Sequence, residues 1–212
     1  MKRRMLFLLF AAGIAAGAEI LPDPLTGMKR ANAKGEQTAV IAGGCFWCTE
    51  AVFEQLAGVT NVVSGYAGGT RETAKYNLVA AGETDHAESI QITFDPSRIS
   101  YGELLKVFLS TAHDPTQLNK QGPDHGAQYR SAIFYANDEQ QQIAKAYIEQ
   151  LGQAKAFRAQ IVTQVRELKQ FFPAEQSHQD FVKRNPGHPY VLVNAVPKLK
   201  KTREACPALL KN

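Results

Sequence analysis

The sequence predicts an α+β fold, a ferredoxin-like two-layer sandwich with a central mixed β-sheet and flanking helices. Three observations carry this. Strand-like and helix-like stretches open in the order strand, helix, strand, strand, helix, strand, the split β-α-β arrangement. Glycine pairs or Asp-Pro break the chain where those stretches end. The set fits within residues 38–196 of 212, the size of one domain.

The elements follow in order. Thr38-Ala39-Val40-Ile41-Ala42 is an apolar run suited to a buried strand, and Gly43-Gly44 breaks it. Residues 46–55 place Val52, Phe53 and Leu56 at helical spacing. Residues 59–66 read as a second strand, ended by Gly68-Gly69. Residues 88–94 alternate as a strand does and stop at Asp95-Pro96. Ser100 with Glu103 forms a capping box, opening a helix whose apolar face is Leu104, Leu105, Phe108 and Leu109. Residues 131–136 suit a strand, 138–153 a long helix, 161–168 a strand and 174–184 a further helix. In the tail, residues 197–212, Leu199, Ala205, Leu209 and Leu210 suit a short docked helix with Cys206 as a small apolar filler.

The formal charge is +4, but Lys2, Arg3 and Arg4 supply most of it. Without residues 1–18 the chain carries 21 basic and 20 acidic residues. No basic patch for nucleic acid is visible. The charged start, the apolar run 5–18 and Ala16-Gly17-Ala18 read as a cleaved secretory signal. The run falls short of the roughly 20 residues that span a bilayer, and an uncleaved anchor is the alternative. An exported, periplasmic protein is therefore expected, monomeric and without a membrane span once cleaved. Residues 19–37, with Pro22, Pro24, Gly27 and Gly35, read as a linker.

Gly43-Gly44-Cys45-Phe46-Trp47-Cys48 is the most informative stretch. The strand-Gly-Gly-Cys-helix order sets Cys45 at a helix N-terminus, where backbone N–H groups lower a thiol pKa. Phe46 and Trp47 read either as an apolar wall beside that thiol or as core. Cys48 stands one helical turn from Cys45. A staple across so short a loop adds little stability, so redox or metal chemistry is the better reading of the pair. Cys206 makes the cysteine count odd. The five histidines are spread along the chain, and no metal or other cofactor is expected. Glu50, one turn beyond Trp47, reads as a helix-surface charge.

Gly-Cys-Phe-Trp after a strand resembles the active-site signature of the A-type peptide methionine sulfoxide reductases. Collinear motifs extend the resemblance over about residues 38–194: Gly65-Tyr66-Ala67-Gly68-Gly69, His86-Ala87-Glu88, His113-Asp114-Pro115, Asp124 to Ser131, and His178-Gln179-Asp180. The resemblance implies a mixed α/β fold and reduction of the S epimer of methionine sulfoxide, free or in proteins, with a thioredoxin-type disulfide reductant. It assigns Cys45 as nucleophile, Glu88 as the acid that protonates the sulfoxide oxygen, and Phe46 and Trp47 as the pocket for the substrate's ε-methyl. Tyr76 and Tyr129 resemble the phenols that orient the oxygen, and Asp124 a supporting site residue. Elementary chemistry agrees, because oxygen leaves sulfur poorly unless protonated. A Glu in an apolar pocket stays protonated near neutral pH.

The chain departs from that pattern in two places. Cys48 stands where a glycine is common, and the tail lacks the glycine-rich stretch that often carries a recycling cysteine. The resolving thiol is thus Cys48, with Cys206 as the alternative. Three rival readings remain. A zinc deaminase uses His-x-Glu, but with a Pro-Cys-x-x-Cys after it rather than a cysteine pair before it. A thioredoxin-like exchange protein explains the cysteines and none of the other motifs. The last rival is a non-enzymatic exported domain stapled through Cys48.

Overall fold

The computed structural model describes residues 21–31 and 35–211. The expected signal segment, 1–18, lies outside the described residues, as does part of the expected linker. Among the described residues the chain runs β1 (Gln37–Gly43), α1 (Phe46–Glu54), β2 (Val59–Ala67), α2 (Tyr76–Ala80), β3 (Ala87–Phe94), α3 (Tyr101–Val107), β4 (Lys120–Gln121), β5 (Asp124–His125), β6 (Ser131–Tyr135), α4 (Asp138–Gln153), β7 (Gln164–Glu167), β8 (Phe171–Pro173), α5 (Phe181–Arg184) and α6 (Val196–Ala205).

The last five residues of β1 are buried, which fits a strand covered on both faces. It pairs antiparallel with β3 on one side and β6 on the other, and β3 pairs antiparallel with β2. The resulting order β6-β1-β3-β2 interleaves two split β-α-β units, as the sequence predicts. Two edges extend it. β7 joins β6 in parallel and β8 joins β2 antiparallel, making the sheet mixed.

One sheet face carries the main core. Ile41, Ile90, Ile92 and Phe94 meet Phe53 of α1 and Leu56 just beyond it, Leu104 and Leu105 of α3, and Ile143 and Tyr147 of α4. The other face holds a smaller cluster of Val40, Ala42, Ala132 and Phe134. The capping box at Ser100 forms: Ser100 Oγ accepts from the Glu103 N–H at 3.2 Å, and Glu103 Oε2 accepts from the Ser100 N–H at 2.7 Å. Asn137 caps α4 by accepting from the Gln140 N–H at 2.9 Å.

The structure departs from expectation in four stretches. The helix expected through Leu109 is α-helical to Val107 and then widens into a π-turn, Phe108–Ala112. The strand expected over 161–168 is shorter, Gln164–Glu167. The helix expected over 174–184 becomes a 3₁₀ turn at Gln176–His178 and a four-residue α5. Gln179 explains this last change. Its side-chain amide donates to Ser64 O and accepts from the Ser64 N–H, both at 2.9 Å, standing in for a strand rung beside β8. Finally, the described part of the expected linker packs on the helices. Leu21 is buried, Pro22 O accepts from the Tyr147 hydroxyl at 2.9 Å, and Arg30 pairs with Glu103 at 2.7 Å.

Candidate active site

Cys45 is the N-cap of α1, delivered by a turn at Gly44 whose φ is +86°. A Cβ on Gly44 would stand 2.5 Å from the Gln121 side chain, so only glycine permits both the bend and the approach of β4. α1 packs on β2 and β3, and this brings Glu88, opposite Tyr66 in the β2–β3 ladder, to the start of the helix. Glu88 Oε2 accepts from the Phe46 N–H at 3.0 Å. The carboxyl and the thiol thus meet at one helix terminus.

They open into a cavity of about 210 Å³ lined by Cys45, Phe46, Trp47, Tyr76, Glu88, Asp124, Tyr129 and Tyr190. The structure brings together seven residues singled out in the sequence and adds Tyr190. Wider grooves exist elsewhere, one of about 430 Å³ beside Glu54, Gln55, Val62 and Arg203. That groove is lined by no cysteine or tyrosine, so chemistry rather than size marks the site.

Burial decides the protonation states. Glu88 is 2% exposed, and burial pushes its carboxyl up to about 8, against the Phe46 N–H, which pulls the other way. It is therefore mostly protonated at neutral pH and can donate. The two thiols shift in opposite directions. Burial raises Cys45, helped by its hydrogen bond to Cys48 and by the Glu88 charge, while that hydrogen bond lowers Cys48. The acidified Cys45 expected from a helix N-terminus is therefore not what the structure holds. Desolvation outweighs the helix, and the first helical N–H is already given to Glu88. Burial likewise raises the Tyr76 and Tyr129 phenols, keeping both as donors.

Each phenol has its own support. Tyr76 is the first residue of α2, and its N–H donates to Glu175 Oε1 at 2.9 Å. Gln128 Nε2 donates to Ala80 O at 3.0 Å, tying the turn that carries Tyr129 to the end of α2. Arg130 donates to the carbonyls of Asp85, His86 and Ala127, all within 3.2 Å, which fixes the next residue along. Tyr190 donates to Asp124 Oδ2 at 2.5 Å and lines the cavity with Cys45.

The wall is aromatic throughout. Phe46 is fully buried, 5.9 Å from Tyr66 and 6.5 Å from Tyr76 between ring centroids. Trp47 stacks on Phe181 at 3.7 Å and 9°, and its Nε1 donates to His178 Nδ1 at 3.2 Å. The two sequence readings of Phe46 and Trp47, wall or core, are thus both partly realised. Each packs inward and also lines the cavity.

Cys48 lies behind Cys45 in a small apolar cluster with Val191 and Ala195. Cys206 is buried elsewhere, in the main core at the end of α6, beside Ser110 and Lys106. Lys198, in the first turn of α6, acts on Cys48. From Lys198 to Cys206 the helix rises roughly 12 Å at 1.5 Å per residue. The structure therefore holds Cys48 next to the nucleophile and Cys206 apart from it.

Sequence reasoning misplaced Glu50 and missed Tyr190. Glu50 is 2% exposed rather than a surface charge, because α1 turns that side toward β2 and the Gln179–Phe181 bend. Tyr190 had no pattern to mark it, standing between His188-Pro189 and the apolar run Val191-Leu192-Val193. His86 and His113 are structural. His86 Nδ1 accepts from the Gly69 N–H and Nε2 meets Thr70 O, while His113 bridges Phe108 O and Ser131 Oγ. Among the described residues, no three His, Cys, Asp or Glu side chains are grouped to hold a metal.

A buried cysteine pair beside a protonated carboxyl, with three phenols around an aromatic-walled cavity, fits thiol-dependent redox chemistry on a small polar group. Comparison with known proteins gives its kind. Residues 37–208 match the sequence model of the family described as peptide methionine sulfoxide reductase. The chain is 54% identical over 193 residues to peptide methionine sulfoxide reductase MsrA 2 of Synechocystis, covering 90% of each. Among solved structures it resembles Mxr1 of Saccharomyces cerevisiae in reduced form, with TM-score 0.65 and 32% identity over 76% of this chain and 91% of that one. It also resembles methionine sulfoxide reductase A of Corynebacterium diphtheriae, with TM-score 0.63 and 33% identity over 78% and 83%. The chain belongs to the peptide methionine sulfoxide reductase family, and it reduces methionine sulfoxide to methionine.

Proposed function

We propose that the enzyme reduces the S epimer of methionine sulfoxide, in proteins or free, through a Cys45 sulfenic acid that Cys48 resolves. The observation that carries this is the Glu88 carboxyl, buried, neutral near pH 7 and bonded to the N–H that follows Cys45. The sulfoxide oxygen lies toward Glu88, Tyr76 and Tyr129, and the ε-methyl against Phe46 and Trp47. Glu88 gives its proton to the oxygen as Cys45 sulfur attacks the substrate sulfur. The sulfur–sulfur bond so formed breaks as the oxygen passes from the substrate sulfur to Cys45 as S–OH, the thiol proton goes to Glu88, and methionine leaves. Thiol plus sulfoxide thus become sulfenic acid plus sulfide. Asp124 supports this by receiving the Tyr190 hydroxyl, which fixes both near the sulfurs.

Cys48 then attacks the Cys45 sulfur, water departs, and a Cys45–Cys48 disulfide forms. A thioredoxin-type dithiol reduces that disulfide by exchange. Cys206 remains the alternative resolving thiol, at the cost of undoing its packing. Residues 1–18 act as a signal peptide, and the mature protein works, monomeric, in the periplasm. The test uses separated epimers. Wild type should release methionine from the S epimer alone, and Cys45→Ser from neither; release from the R epimer would overturn the assignment.

A further inference from the structure

Directly after Tyr190, which lines the cavity with Cys45, the chain forms a π-turn, Val191–Ala195, that runs into α6. Its two faces differ. Val191 and Ala195 turn inward and pack on Cys48, which is 1% exposed. Leu192, Val193 and Val196 turn outward and are 52%, 72% and 43% exposed. A helical segment at a protein surface ordinarily carries polar residues on its outer side, and one that is apolar all round is ordinarily buried. Among the described residues five large apolar side chains stand exposed, and three of them fall between positions 192 and 196. A cluster of that kind marks a contact surface, whereas exposed apolar residues scattered singly need no explanation. The border of the patch is basic. From His188 to Arg203 the chain carries Lys198, Lys200, Lys201 and Arg203 and no carboxylate.

We infer that Leu192, Val193 and Val196 form the docking surface for the dithiol protein that recycles the enzyme. This rests on the reading that recycling proceeds through a Cys45–Cys48 disulfide. Position decides the occupant. Exchange brings a partner's sulfur in line with a sulfur of that disulfide, and Cys45 is the one that lines the cavity. The partner's surface then rests on the chain that leaves the cavity at Tyr190, and that chain is this apolar turn. The partner that fits has an apolar surface around its own reactive cysteine, bordered by carboxylates that meet the basic stretch. Its thiolate attacks the Cys45 sulfur, the Cys45–Cys48 bond breaks, and Cys48 leaves with the bonding electrons and takes a proton. The partner's second thiol then attacks the mixed disulfide and gives its proton to Cys45. The partner ends oxidised to its own disulfide, and both enzyme thiols are restored.

Steady-state kinetics with two reductants tests this. The double variant Leu192→Ser/Val193→Ser removes apolar surface that the fold leaves exposed. With thioredoxin regenerated by thioredoxin reductase, its KM for thioredoxin should rise about tenfold, the scale of losing part of two buried apolar contacts. With dithiothreitol, which needs no docking surface, kcat and KM for methionine sulfoxide should match wild type. Leu25→Ser, which removes an 85% exposed leucine beside α4, should change neither. An unchanged thioredoxin KM in the double variant, or an equal rise in Leu25→Ser, would overturn the inference. So would an equal loss with dithiothreitol, which would make the turn a support of the site. A rise confined to KM for an oxidised protein substrate would assign the surface to that substrate instead. A wild-type dimer that the double variant abolishes, by sedimentation, would assign it to a second copy of the chain. Cys206→Ser leaves Cys45–Cys48 as the one disulfide the chain can close, and so separates the two readings. Loss of thioredoxin-driven turnover there defeats the Cys48 reading. Turnover retained there, with a thioredoxin KM indifferent to Leu192 and Val193, defeats the docking surface.

Discussion

Glu88 illustrates how one residue acquires its role from position. In the sequence it is a glutamate at the start of a strand, a place usually wet. The fold sets it under the first turn of α1, dry, with a helical N–H as its one strong counterweight to burial. Glu88→Gln should slow the reductive step by about 10²–10⁴-fold, the scale of general acid catalysis. Rapid-quench single turnovers check this, and the deficit should shrink at low pH, where solvent supplies the proton. An equal deficit at pH 5 and pH 8 would mean that Glu88 serves shape rather than proton transfer. The same residue bears on stability, and the sign is fixed by its raised pKa. The folded state keeps a proton that the unfolded chain loses above about 4.5, so Glu88 contributes stability below that pH and loses it as pH rises through about 8. Glu88→Gln should therefore melt higher than wild type at pH 9 and no higher at pH 4, by scanning calorimetry.

Among elements, α1 and the tail matter most. Cys45 caps α1 and its first turn holds Phe46, Trp47 and Cys48, so one helix sets both sulfurs and the aromatic wall together. Its far end is braced by the tail: Lys211 Nζ donates to Glu54 O at 2.8 Å, and the Ala57 N–H to Leu209 O at 2.7 Å. That brace is the reason Cys206 is committed to packing. Cys206→Ser should leave thioredoxin-driven turnover within about twofold of wild type while lowering stability, because a buried hydroxyl replaces an apolar filler. Cys48→Ser should complete one turnover and stall. Steady-state turnover with a thioredoxin system, compared with one-equivalent methionine release, distinguishes them; a stalled Cys206→Ser with a turning Cys48→Ser reverses the assignment.

At the scale of the whole molecule, the legible parts of the sequence were those with a period or a punctuation mark. β1, α1, β2 and β3 carry apolar patterning bounded by Gly43-Gly44, Gly68-Gly69 and Asp95-Pro96, and all four form within a residue or two of expectation. α2, the β4–β5 hairpin and β8 span two to five residues, too few for any period to show. The stretch 174–184 misled because Glu175 and Gln179 look like helix-surface polars. Their partners, Tyr66, Tyr76 and Ser64, come from β2 and α2, about a hundred residues away. The site was legible where motifs stand in line, and Tyr190 and Glu50 were not, since burial and a hydrogen bond to Asp124 arise only in three dimensions. The described N-terminal segment adds a last global feature. Arg30 closes on Glu103, which also closes the Ser100 box, so Ser100→Ala should cost about 1 kcal/mol in urea unfolding with the m-value unchanged. A wild-type midpoint would show that the Arg30 pair alone holds that corner.

The central claim is that Cys45 takes the oxygen and Cys48 removes it. Mixing reduced enzyme with one equivalent of methionine-S-sulfoxide, blocking free thiols and mapping disulfides by mass spectrometry addresses it most directly. The account predicts one equivalent of methionine, a Cys45–Cys48 peptide and a blocked, free Cys206. A dominant Cys45–Cys206 peptide, or methionine released by Cys45→Ser, would contradict it.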